Sequence, residues 1–166
     1  MAASTSLIIR LATSHDADAI WAMLEPVIRA GDTYALPSDM TKDAAIGYWL
    51  GPDKTSFVVE DDGVAVGTYY LRANQSGGGD HVCNCGYVTG EKARRRGVAR
   101  LMCEHSLREA PKHGFRAMQF NCVVSTNHTA VRLWKTLGFE IVGTLPGAFR
   151  HPTEGDVDAY VMFRIL

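Results

Sequence analysis

The run Arg94-Arg95-Arg96-Gly97-Val98-Ala99 concentrates more chemistry than any other part of this chain. It follows a strand-like run and opens a strongly apolar helix-like run, in the layout Arg-x-x-Gly-x-Ala of a phosphate cradle. Small residues keep side chains away, so several backbone N–H groups at a helix start can converge on one anion. The helix dipole and the flanking guanidiniums add favourable charge at the same spot. Lys92 and Arg100 extend the cluster, and so local a positive patch suits a compact polyanion better than a long one. A second candidate group is His81, Cys83 and Cys85. Zinc pairs usually come from a CxxC-type loop rather than a CxC on a strand, so no metal is assigned. A covalent route through a cysteine nucleophile is conceivable, but nothing adjacent in sequence would activate either thiol. His81 and His128 are weak candidates for a base: one starts a strand, and the other suits an exposed position.

The elements that must position the cradle fit one domain. The chain has 166 residues, 46% apolar and 21% charged, which is ordinary for a soluble globular protein. A net charge of −1 gives no global pull toward nucleic acid or an anionic membrane. No stretch approaches the roughly 18 apolar residues of a membrane span. Residues 1–6 lack the basic start and apolar stretch of a signal peptide and are expected to form a flexible tail, with 7–166 as a single domain. Cys83, Cys85, Cys103 and Cys122 show no disulfide-framework spacing, so they are read as reduced thiols of a cytoplasmic protein, mostly filling the core.

Along the chain, 7–11 reads as a strand and 16–30 as a helix with Ile20, Met23, Leu24, Val27 and Ile28 at helical spacing, kinked at Pro26. Thr41 caps a short helix through Leu50. Strands 56–60 and 64–71 join at the Asp61-Asp62-Gly63 turn. The glycines 77–79 precede no helix and are a flexible connection rather than a phosphate loop. Strand 81–89, helix 97–110 ended by Pro111, strand 115–124 and helix 129–137 follow, then strands 139–145 and 158–165. That order predicts an α/β (α+β) fold: one mixed, mostly antiparallel sheet of six to seven strands flanked by helices.

With these elements in place, the chain resembles the GNAT superfamily of N-acetyltransferases from about Leu7 to Ile165. The segments are Ile9–Thr13 with Asp16–Ile20; Gly86–Met102, similar to the acetyl-CoA motif; and Thr126–Phe139, similar to the asparagine–helix–Gly-Phe segment. Motifs in the right order on the right predicted elements are a far stronger signal than a lone glycine motif. The resemblance implies acetyl-CoA as cosubstrate, a splayed central strand pair and no metal. It sets Arg94, Arg95, Arg96, Gly97, Val98, Ala99 and Arg100 around the pyrophosphate, and Tyr87, Val88, Thr89, Asn127 and Trp134 along the rest of the carrier. Tyr87 offers its backbone N–H to the acetyl carbonyl, Thr89 to the pantetheine arm. His81-Val82-Cys83-Asn84 and Phe120-Asn121, with Asn127 six positions on, also resemble the yeast-type acetyltransferases of azetidine-2-carboxylate and related proline analogues. There, asparagines matching Asn84 and Asn121 lie near the acceptor. Thr33-Tyr34-Ala35-Leu36, with Asp39-Met40-Thr41, is similar to amino-acid and phosphinothricin acetyltransferases and places Tyr34 at the acceptor too.

Two departures restrict the mechanism. Trp134 stands where many relatives carry a tyrosine acid, and Cys83 where some carry a glutamate base. Without either, direct attack in a ternary complex must rest on positioning, with Tyr87, Asn84 and Asn121 as the catalytic set and a thiolate as a tolerable leaving group. The two departures also keep a non-catalytic acyl-CoA sensor open as an alternative, and peptide or protein N-termini remain alternative acceptors. The basic run alone could bind nucleic acid, but the near-neutral charge and the lack of an aromatic-basic surface pattern argue against it. The partner is then a small-molecule amine, with no membrane and no nucleic acid; a homodimer is common among proteins of this resemblance. The acceptor pocket is expected from loops 31–41, 74–80 and 146–156.

Overall fold

The computed structural model describes residues 7–166; the expected tail, 1–6, lies outside the described residues. The elements in chain order are β1 (Leu7–Leu11), α1 (Ala17–Ala30), α2 (Lys42–Trp49), β2 (Thr55–Asp61), β3 (Val64–Ala73), β4 (Val82–Thr89), α3 (Val98–Glu109), β5 (Ala117–Val124), α4 (His128–Thr136), β6 (Glu140–His151) and β7 (Gly155–Ile165). They build one seven-stranded sheet in the order β1-β2-β3-β4-β5-β7-β6. Every neighbouring pair is antiparallel except β4–β5.

Strand alternation sends successive side chains to opposite faces, which divides the core in two. Val58, Tyr70 and Val88 pack with Ile20, Leu24 and Trp49 under α1 and α2. Val59, Tyr69, Cys83 and Cys85 pack with Val98, Met102 and Trp134 under α3 and α4. The helix ends follow the expected capping chemistry: Thr41 Oγ1 accepts the Ala44 N–H at 3.3 Å, and Asn127 Oδ1 accepts the Ala130 N–H at 3.2 Å.

The structure corrects several boundaries. Asp16 belongs to a 3-10 turn ahead of α1, where its carboxylate accepts the Thr13 N–H at 2.7 Å. α3 ends at Glu109, as Pro111 leads one to expect, and the chain goes on as a 3-10 segment, Ala110–His113, in whose first turn the missing N–H of Pro111 has no role to fill. The stretch 146–156 is not a pocket loop. It continues β6 and starts β7, because β6 is the sheet edge and a register shift between Leu145 and Phe149 accommodates Pro146 and Gly147. Cys122 is exposed rather than core, whereas Cys83, Cys85 and Cys103 are buried free thiols. No helix among the described residues is long and apolar enough to cross a membrane.

An ion network ties β1 to the start of α1 and to β2. Arg10 donates to Asp16 at 2.7 and 2.9 Å and to Glu60 at 2.6 and 3.0 Å. Its guanidinium holds the Asp16 carboxyl down at about 2, below the ordinary 3.8. A lowered folded-state pKa stabilises the fold above pH 3.8, and that contribution fades as pH falls toward 2. Because Arg10 is partly exposed, Asp16→Asn is expected to cost about 1 kcal/mol, or roughly 3 °C in Tm. Calorimetry at pH 7 and pH 3 should show the difference between the two proteins shrinking at the lower pH.

Candidate active site

β4 and β5 are bridged only at Val82–Ala117 and Cys83–Met118, and beyond these pairs they part. Which backbone groups then face the gap follows from the ladder on the other side of β4. The Asn74 N–H bonds Val82 C=O and the Gly90 N–H bonds Val66 C=O, both at 2.8 Å, so the even-numbered residues of β4 spend their main chain on β3. Cys85, Tyr87 and Thr89 therefore turn theirs toward the missing partner. The next rung of the parallel ladder would run from the Cys85 N–H to Gln119 C=O. Asn84 occupies that acceptor instead, its Nδ2 donating to Gln119 C=O at 2.9 Å. Across the gap, Tyr34 donates its hydroxyl to Tyr87 C=O at 2.8 Å, latching the loop after α1 onto the parted strand.

The parting opens a cavity of about 310 Å³. Tyr34, Leu36, Tyr48, Tyr70, Arg72 and Asn84 wall it from the α1–α2 face, and Tyr87, Phe120, Asn127, Ala130 and Trp134 from the α3–α4 face. It passes through the sheet. Gly86 lies on its floor with the Tyr70 ring so close that a Cβ would come within 2.6 Å of it. Trp134 stacks obliquely on Tyr87, with centroids 5.3 Å apart, and on Phe120 at 5.1 Å, so it packs in the apolar stripe as its spacing requires.

The cradle lies where β4 ends. Arg95 has φ +64° and Gly97 φ +78°, and two left-handed residues flanking Arg96 curl the backbone into a nest. Gly97 is the N-cap of α3 and offers no side-chain cap, and no acidic residue occupies the first turn. The helix thus begins with uncapped N–H donors, the arrangement an anion completes. No atom lies within 4 Å of a Cβ built at Gly97, so glycine is needed there for its backbone angle and not for space. The arginines divide the work differently from a simple positive ring. Arg96 is spent on Asp61 at 2.6 Å and Arg100 on Thr136 at 3.1 Å, so both brace the cradle against its neighbours.

The expected site residues are only partly brought together. Tyr34, Asn84, Tyr87, Asn121, Asn127 and Trp134 line one cavity. Val88 does not: its main chain bonds β3 and its side chain is buried under α1. Asn121 is held in an amide relay, accepting from Gln119 Nε2 at 2.9 Å and donating to Asn74 Oδ1 at 2.7 Å. Sequence reasoning missed Tyr48, Tyr70 and Arg72. A lone arginine directly after the apolar strand-like run 64–71 was the available signal for the last. Among the described residues lining the cavity there is no Asp, Glu, His or Lys. Burial pushes the phenols of Tyr34, Tyr70 and Tyr87 and the thiol of Cys85 up, so all four stay protonated at neutral pH.

The acetyltransferase (GNAT) family model matches residues 20–139. The chain belongs to the GNAT acetyltransferase family. It is an acetyl-CoA-dependent N-acetyltransferase, which sets the non-catalytic sensor reading aside. A GCN5-related N-acetyltransferase from Kribbella flavida is 40% identical, with a TM-score of 0.91 over 96% of this chain and 98% of the other. The N-acetyltransferase aca1 of Schizosaccharomyces pombe is 29% identical over 81% of this chain and 72% of its own length. The fold is shared with yncA of Salmonella typhimurium, solved with its cofactor acetyl-CoA: TM-score 0.82, 20% identity, covering 98% of this chain and 95% of that one. No group of His, Cys, Asp and Glu among the described residues could hold a metal ion.

Because Asn84 satisfies a buried carbonyl at the fork, Asn84→Ala should destabilise the fold by about 1–3 kcal/mol whatever it does to activity. Chemical denaturation reads this directly; an unchanged midpoint would show that Gln119 C=O finds another donor.

Proposed function

We propose that this enzyme acetylates the amine of a small molecule, an amino acid or a toxic analogue such as a proline analogue, by direct attack in a ternary complex. The observations that support this most are the parted β4 edge, which opens onto an aromatic cavity with no acid among its described lining residues, and the uncapped start of α3 that follows β4 in the chain. The carrier supplies an activated thioester. The backbone N–H groups from Arg95 to Arg100 hold its diphosphate, with Arg94 adding charge. Thr89 meets the pantetheine arm and Asn127, after capping α4 with Oδ1, keeps its amide hydrogens for the same arm.

Tyr87 acts through its main chain. Its N–H faces the gap and is positioned for an acetyl oxygen, where a donor gains strength as negative charge develops. Its side chain is spoken for, with the hydroxyl paired to Ser106 Oγ at 2.7 Å. Asn84 and Asn121 orient the acceptor. Each is already anchored by a hydrogen bond of its own and so is fixed before substrate arrives. The aromatic walls desolvate the acceptor ammonium and favour its neutral form. With no carboxylate or imidazole among the described residues of the cavity wall, the proton leaves through water.

Two measurements test this. Free thiol release from acetyl-CoA over proline analogues, free amino acids, polyamines and peptide N-termini should favour the first two classes; turnover of peptides alone would overturn the assignment. The pH dependence of kcat/KM should rise with the ionisation of the acceptor itself and shift when an acceptor of different amine pKa is used. A profile fixed across acceptors would reveal a protein base. At the cradle, Gly97→Ala places a Cβ at φ +78° and should weaken acetyl-CoA binding roughly tenfold in calorimetry, at a stability cost of about 1 kcal/mol.

A further inference from the structure

Arg72 is the one cation among the described residues lining the cavity, and its bonding is incomplete. It stands on β3 opposite Asn84 of β4 and shares a sheet face with Tyr70. Its Nε is buried and has no hydrogen-bond partner. The carboxylate facing the guanidinium is Asp53, 3.9 Å from Nη1, which is too long for a hydrogen bond. Asp53 is already engaged: Lys54 Nζ reaches both of its oxygens at 3.0 Å. Lys54 is itself packed over the Tyr48 ring at 4.5 Å, with 4% of its side chain exposed. Arg72, Lys54 and Asp53 thus leave one positive charge uncompensated beside an aromatic cavity.

A buried guanidinium N–H without an acceptor is costly, and a bound anion would remove that cost. The planar fork of arginine matches a carboxylate through two parallel hydrogen bonds. We infer that Arg72 binds the carboxylate of the acceptor, so that the substrate is an α-amino or α-imino acid and not a plain amine, a polyamine or a peptide N-terminus. The inference rests on the acetyltransferase reading of the cavity. From Asn84, opposite Arg72, to Tyr87 is three residues of strand, roughly 10 Å, which a long arginine side chain and a small amino acid together span. Asn84 and Asn121 then stand beside the clamped acid. A polyamine brings further positive charge toward Arg72 and is repelled.

The test compares each acid with its decarboxylated partner: azetidine-2-carboxylate against azetidine, and L-leucine against 3-methylbutylamine. Wild-type enzyme, R72K and R72Q are assayed at saturating acetyl-CoA. The wild type should favour at least one acid over its partner by about 30-fold in kcat/KM, the effect of a charge-assisted pair. R72Q should compress that preference to within about threefold through a rise in KM, and R72K should fall between. Equal loss on acid and amine, or a preference untouched in R72Q, overturns the inference; so does turnover of plain amines with neither acid used. Thermal melts accompany each variant, and R72K supplies the readout if R72Q proves unstable. Calorimetric binding of azetidine-2-carboxylate to the CoA-bound enzyme separates the two levels. Binding lost in R72Q without any turnover in the wild type keeps the carboxylate clamp and sinks the proposed reaction. Absence of acid binding to the wild type sinks the clamp and leaves acetyl transfer to other amines standing.

Discussion

A strand that loses its neighbour halfway along must find other partners for its main chain. β4 is paired on one side throughout and on the other for only two bridges, so half of its backbone groups point into space. Unpaired buried peptide groups are costly, and a fold that leaves them open does so beside a ligand or recruits side chains to fill in. Both solutions occur here. Asn84 fills the first vacant rung and Tyr34 latches the Tyr87 carbonyl, whereas the Tyr87 N–H faces the cavity. The cavity, its aromatic lining and the approach of the loop after α1 all follow from that divergence.

Electrostatics divide along the same lines. At the end of β4 the charge is carried by main-chain dipoles in an uncapped helix start, braced by Arg96 and Arg100 through Asp61 and Thr136. Inside the cavity the titratable groups with resolved shifts are pushed toward neutrality by burial. A site of this kind has little capacity to move protons and much capacity to hold shape. That accords with Cys83 and Trp134 at the positions where other members of the family carry an acid or a base.

The fold was legible wherever local chemistry punctuates the chain. The Asp62-Gly63 turn, the Thr41 and Asn127 caps and the apolar stripe of α4 all announce themselves in a few neighbouring residues. The cradle was legible for the same reason, since a glycine that can take a left-handed angle stands directly before an apolar helical run. What stayed hidden depends on residues distant in sequence. Pro146 looked like a loop because nothing local says that β6 is an edge strand with a bulge. Val88 sat between Tyr87 and Thr89 and was grouped with them, although strand parity turns its side chain to the opposite face and its main chain to β3. Arg72 meets Asn84 only through the β3–β4 register, and Asp53 only through the β2–β3 register.

The opening runs from one face of the sheet to the other, and the two halves of its wall come from different parts of the chain. Residues up to Arg72 build one mouth, and residues after Phe120 build most of the other. On the proposed reading, substitutions in the α1–α2 region change which molecule is accepted, while the residues assigned to the donor, encoded further along, are left in place.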